Sequence, residues 1–165
     1  TIQKLGTNTK SFYIFTNNKE MFGPHLMLDC YGCNEEKLKD AKFILKFLKN
    51  TPKKFGMHII KEPFLISYDE NPETWDNGGV SAIVIIAESH IAIHTFPGND
   101  GFMSLDMFSC KEFNIEKIIS IINKEFKPKM IEKNLVMRGT HFPKEEYKLQ
   151  KIIVNQRKGI EDKQD

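Results

Sequence analysis

One short stretch, Ala87-Glu88-Ser89-His90-Ile91-Ala92-Ile93-His94-Thr95-Phe96-Pro97, gathers a carboxylate, a hydroxyl and two imidazoles. Each of Glu88, Ser89, His90 and His94 is capable of acid, base or nucleophilic chemistry. They close an apolar, β-branched run, Val80 to Ala87, that reads as a buried strand. A second strand-like run then leads to Cys110. Any chemistry this chain performs is expected here.

Several chemistries fit these residue types poorly. A serine hydrolase would pair Ser89 with His94 and a carboxylate, but the Gly-x-Ser-x-Gly elbow that presents such a nucleophile is absent. His90 and His94 would face one side of a strand. Zinc needs three or four ligands, however, and no His or Cys pair lies at the usual spacings nearby, so no metal is expected. Cys30-Tyr31-Gly32-Cys33 has the Cys-x-x-Cys spacing of thioredoxin-like proteins, but the order of elements lacks their βαβ pattern. Small buried hydrophobes are the preferred reading of that pair. Lys111 beside Cys110 would favour a thiolate, although an inert buried thiol is the commoner outcome.

The bulk properties narrow the class. A chain of 165 residues, 40% hydrophobic and 28% charged, suits one soluble domain, residues 1–165. The net charge of +2 is spread along the chain without a basic stripe, which argues against nucleic acid as the partner. No apolar run approaches the ~18 residues that cross a bilayer. The polar N-terminal stretch shows no secretory pattern, and the three cysteines read as reduced thiols of a cytoplasmic protein.

The elements that must position the stretch follow from periodicity. Strands are expected at His25 to Tyr31, Met57 to Tyr68 (interrupted near Pro63), Val80 to Glu88, His90 to Thr95, Phe102 to Phe108 and Met130 to Met137. Leu38, Ala41, Ile44, Leu45 and Leu48 predict one helix, Glu35 to Lys49, capped by Asn34 and ended by Asn50-Thr51-Pro52. Ile115, Ile118, Ile119, Ile122 and Phe126 form the apolar face of a second, ended by Pro128. Asp69 to Gly79, with the single Trp75, reads as a loop, and Lys144 to Asp165 as a charged tail, helical or frayed. Thr1 to Phe22 reads as an irregular arm with one short strand at Ser11 to Phe15. The expected class is α+β, a two-layer α/β sandwich whose mainly antiparallel sheet carries its helices on one face. The other face is left over, and a homodimer would bury it.

Gly79-Val80-Ser81, the Glu-Ser-His-x-x-x-His stretch and Asp106-Met107-Phe108-Ser109-Cys110 together resemble the prokaryotic S-adenosylmethionine decarboxylase family. Gly23 to Cys33 and Arg138-Gly139 extend the similarity over roughly residues 22 to 143. The resemblance implies a proenzyme that cuts itself between Glu88 and Ser89 into a β chain, 1–88, and an α chain, 89–165. Ser89 Oγ would attack the preceding carbonyl, and elimination and hydrolysis would leave a pyruvoyl group derived from Ser89. The family assigns the base to the position of His94, the holding of the ester-stage intermediate to that of Ser81, and the returning proton to that of Cys110. The pyruvoyl carbonyl would form a Schiff base with the substrate amine and act as electron sink while carbon dioxide leaves.

The resemblance implies S-adenosylmethionine as substrate, with Phe96 and Trp75 in the regions that stack on its adenine. The chain departs from the family at one point. The glutamate that usually follows His-Thr-aromatic-Pro and binds the ribose hydroxyls is replaced by Gly98, then Asn99 and Asp100 in a longer turn. Asp100 is the candidate substitute. The departure keeps open L-ornithine or L-arginine as substrate for the same machinery. A third reading, of another class, is an inactive homologue that regulates a partner decarboxylase.

Overall fold

The computed structural model describes residues 21–71, 73, 76–98, 100–143 and 147–158. Trp75, Asn99 and the expected strand at Ser11 to Phe15 lie outside them.

The elements run β1 (Gly23–Tyr31), α1 (Glu35–Lys39), α2 (Ala41–Lys54), β2 (Ile59–Asn71), β3 (Asp76–Ile86), β4 (Ser89–Phe96), β5 (Phe102–Ser109), α3 (Ile115–Phe126), β6 (Met130–Arg138) and α4 (Tyr147–Arg157). The strands form one sheet in the order β2-β3-β4-β5-β1-β6, and every neighbouring pair is antiparallel. Leu38 of α1, Ile44, Phe47 and Leu48 of α2, and Ile118, Ile122 and Phe126 of α3 pack on one sheet face. They meet Leu26, Leu28, Val84, Ile86, Ile91, Ile93, Leu105 and Met107. This is the expected two-layer α+β sandwich.

Alternation along the strands leaves a second face without a helix of this group. It carries His25, Met27, Asp29 and Tyr31 of β1, Ser81, Ile83 and Ile85 of β3, His94 and Phe96 of β4, and Asp106 and Phe108 of β5. Phe64 and Ile66 of β2 and Val136 of β6 extend it, and these three are 63%, 42% and 48% exposed.

Two expectations need correction. The single helix Glu35 to Lys49 is two helices. Asp40 leaves helical geometry, and its carboxylate accepts from the Phe43 N–H, restarting the chain as an N-cap just as Asn34 does for α1. The second of these two, α2, also runs past Pro52 to Lys54; the proline gives up one main-chain bond, to the Leu48 carbonyl, without ending the helix. The loop expected at Asp69 to Gly79 is largely the extension of β2 and β3, paired as far as Asn71 and Asp76. Its Asp, Asn and Gly residues hid a ladder held by main-chain bonds rather than side-chain pattern. The charged tail is helical over α4. Among the described residues no helix is long and apolar enough to cross a membrane.

Candidate active site

Strands β3 and β4 pair as far as Ile86 and Ser89, so Ala87 and Glu88 alone make the turn. The residue that follows the turn, Ser89, sits at φ 151°, a conformation that L-residues with a side chain rarely adopt. The turn is also buried, with Ala87 0% and Glu88 2% exposed. Several of its polar groups are partnered, as burial requires. The Ala87 N–H donates to the His58 carbonyl at 2.8 Å, and the Glu88 carbonyl accepts from the Cys110 N–H at 3.0 Å. The Glu88 carboxylate accepts from the His58 N–H at 3.0 Å and lies 3.2 Å from His58 Nδ1.

Cys110 arrives beside this turn because β4 and β5 pair Ser89 with Ser109. The cation that the sequence offers it does not favour a thiolate. Lys111 points its ammonium away, to the carbonyl of Gly56 at 3.0 Å. Burial, and then the neighbouring Glu88 carboxylate, push the Cys110 thiol up from its ordinary value. Cys110 is thus an acid that keeps its proton at neutral pH.

Ser81 and His94 form a second group. They are register partners across β3 and β4, with Ser81 Oγ 2.8 Å from His94 Nδ1. His94 stands five residues along β4 from Ser89, a separation of about 16 Å at ~3.3 Å per residue. The structure therefore brings Ser89 to Cys110 and Ser81 to His94, and holds the two pairs at opposite ends of one strand.

The open face around His94 is aromatic. Phe96, 48% exposed, lies 5.6 Å from Phe102, which in turn lies 5.2 Å from Tyr31, ring centre to ring centre. Asp100 occupies the following turn at φ 63°, with its side chain exposed. A side chain at Gly98 would run into the carboxamide of Asn77, which fills that space. His90 turns to other partners, its ring 5.9 Å from Phe108 and 6.3 Å from His25. Burial, and then His25, lower its pKa. Among the described residues no three His, Cys, Asp or Glu side chains converge in a way that would hold a metal ion.

Sequence reasoning passed over His58 and Asn77. His58 precedes β2 with no motif around it. Only the β2–β3 register, with Ile59 opposite Ile86, places it against the turn.

The S-adenosylmethionine decarboxylase family profile matches residues 24–139, which include both pairs. The chain belongs to the S-adenosylmethionine decarboxylase family. Members of this family are carboxy-lyases, and the resemblance read from the Glu-Ser-His-x-x-x-His stretch agrees with the match. An S-adenosylmethionine decarboxylase proenzyme of Clostridium botulinum (strain Langeland) is 31% identical over 118 residues, covering 71% of this chain and 94% of that protein. The proenzyme of Methanococcus vannielii is 32% identical over 121 residues, 73% of this chain and 92% of its own. Among solved structures, the adenosylmethionine decarboxylase of Aquifex aeolicus superposes with a TM-score of 0.58 at 26% identity, covering 72% of this chain and 92% of that one. The S-adenosylmethionine decarboxylase match ends near Gly139, so α4 lies beyond it.

Proposed function

We propose that this protein is a self-processing, pyruvoyl-dependent S-adenosylmethionine decarboxylase that works as a homodimer. It cuts between Glu88 and Ser89 and makes decarboxylated S-adenosylmethionine, the aminopropyl donor for spermidine. The observation that carries this reading is the state of the Glu88–Ser89 bond. The bond lies in a buried two-residue turn, its carbonyl holds an N–H donor from Cys110, and the residue after it carries the unfavourable φ.

These residues fit the formation of a pyruvoyl group. In the first step Ser89 Oγ bonds to the Glu88 carbonyl carbon, the C–N bond breaks, and the hydroxyl proton ends on the freed amine. Charge develops on the Glu88 carbonyl oxygen during that attack, where the Cys110 N–H already points. Base removal of the Ser89 α-proton then breaks the Cβ–Oγ bond and expels the main-chain α-carboxylate of Glu88, the new C-terminus of the β chain, and water releases ammonia. His94 suits the base. In the tautomer that donates Nδ1–H to Ser81 Oγ, its Nε2 lone pair is free to take another proton. Once formed, the pyruvoyl carbonyl supplies an electron sink for decarboxylation. Cys110, held protonated, returns a proton to the substrate α-carbon.

The distance along β4 supports a site shared between two copies. In a dimer with its two-fold axis through the open face, the Ser81–His94 end of one copy would meet the Ser89–Cys110 end of its partner. The exposed apolar side chains of that face, among them Phe64, Ile66, Ile85 and Val136, support the same pairing by the area they would remove from water. The three free thiols suit a cytoplasmic setting.

Intact mass after incubation with S-adenosylmethionine, ornithine or arginine plus cyanoborohydride tests the proposal. Two chains split at Ser89 are expected, the α chain lighter by the mass of ammonia and carrying a reduced S-adenosylmethionine adduct. An ornithine or arginine adduct would reassign the substrate. A single uncut chain without adduct would instead support the inactive, regulatory homologue.

A further inference from the structure

The turn that carries the scissile bond is tied down largely by one residue that the mechanism above does not use. A buried carboxylate without partners is costly, and Glu88 at 2% exposed finds both of its hydrogen-bond partners on His58. The His58 carbonyl also takes the Ala87 N–H at 2.8 Å. Three bonds thus run from His58 to the two turn residues. From the other side the Cys110 N–H holds the Glu88 carbonyl at 3.0 Å. The peptide to be cut is gripped at both ends while Ser89 sits at φ 151°.

We propose that His58 is a positioning residue for self-cleavage, its ring holding the Glu88 carboxylate so that the turn keeps the strained geometry from which Ser89 attacks. The His58 side chain is 44% exposed, so it is a poor contributor to the core. Its main-chain bonds to the turn survive any substitution but proline, whereas the ring contact to Glu88 Oε1 does not. A carboxylate released from the ring keeps only the His58 N–H and pivots about it, and the turn then relaxes away from the attack geometry. Misplacing the reacting atoms by a fraction of an ångström is enough to slow an intramolecular step.

This inference rests on the self-processing reading, and the test separates the two. Full-length chains made by cell-free synthesis are sampled over time by intact mass. The series comprises wild type, H58A, H58N, E88Q and H58A/E88Q, with thermal melts recorded alongside. The expected result is that H58A cuts about 10-fold more slowly, the size of one charge-assisted hydrogen bond. In H58N the amide nitrogen stands where Nδ1 stood, and cutting should return to within about two-fold of wild type. E88Q should also slow cutting, and the double variant should be no slower than the worse single one. H58A and H58N chains that have been cut should decarboxylate normally. Equal rates in wild type and H58A would overturn this proposal alone, as would slow H58N at an unchanged melting temperature. An uncut wild-type chain would overturn the self-processing reading and this proposal with it. If H58A melts below the assay temperature, E88Q against wild type decides, and an unchanged E88Q rate overturns the proposal.

Discussion

Ser89 and His94 lie on the same strand, β4, yet Ser89 pairs with Ile86 at the turn while His94 pairs with Ser81 five residues further on. No rotamer spans the ~16 Å between them. In the mechanism proposed above, the His94 that serves Ser89 therefore belongs to a second copy.

Mixed dimers test this directly. An H94A chain lacks the base and an S89A chain lacks the cleavable serine, so neither is expected to cut alone. Expressed together with different tags, the H94A chain should be cut whenever its partner is S89A. With random pairing about half of the H94A chains meet such a partner. Cleavage of the tagged H94A chain by mass is the readout. If it stays whole in the mixture while wild type is cut, the two pairs do not act across a dimer.

Replacing Cys110 should separate turnover from processing. C110A is expected to lower the decarboxylation rate by about 10²-fold or more, the usual contribution of a general acid. Misplaced protonation should also make its progress curves bend as the pyruvoyl end is aminated, visible as a mass change on the α chain. In wild type the thiol is pushed up by burial and by Glu88. The acid form then persists at pH values where an ordinary cysteine ionises. The rate should therefore hold through the ordinary thiol value of 9.0 and fall only above it. An alkaline limb centred on the ordinary value would remove Cys110 from the role.

The sheet, most strand positions and the chemistry-bearing residues were legible because alternation and residue type are local properties. The helix break at Asp40 was less so, since an apolar stripe runs through it and only the Phe43 N–H bond reveals a cap. The long β2–β3 hairpin was hidden by Asp, Asn and Gly residues that mark loops in sequence but here lie in a main-chain ladder. The division of the site into two pairs followed from strand rise, not from residue type. His58 was invisible for another reason. Its contact with Glu88 spans 30 residues and depends on the register of two strands, including a bulge after Ile59.

The Cys30–Cys33 pair gives a prediction about stability. Burial pushes Cys30 up to about 12 and Cys33 to about 11, from an ordinary 9.0. The folded state keeps protons that the unfolded chain loses, so stability is full below pH 9.0 and falls as pH rises towards the folded values. Each thiol should cost about 1.4 kcal/mol per pH unit in that window. Urea unfolding from pH 8 to 10.5 should show the decline, and C30A/C33A should flatten it, whatever it does to the neutral-pH value. A slope unchanged in the double variant would assign the alkaline loss to other groups.

Phe96 is the proposed stacking partner of the substrate ring. Its exposed face continues the Phe102–Tyr31 row beside the Ser81–His94 pair, and Asn77 fills the space above Gly98 with a neutral carboxamide. Stacking a base on an aromatic side chain contributes about 1–3 kcal/mol, so F96A should raise KM for S-adenosylmethionine by ~10-fold or more while F96W keeps it low. Self-cleavage, which involves no nucleoside, should proceed as in wild type. Ornithine and arginine have no purine to stack, so a substrate of that kind would be almost indifferent to F96A. Steady-state KM for all three compounds in F96A and F96W therefore reads the substrate class from the protein side. An F96A enzyme with unchanged KM for S-adenosylmethionine would place the adenine elsewhere on the open face.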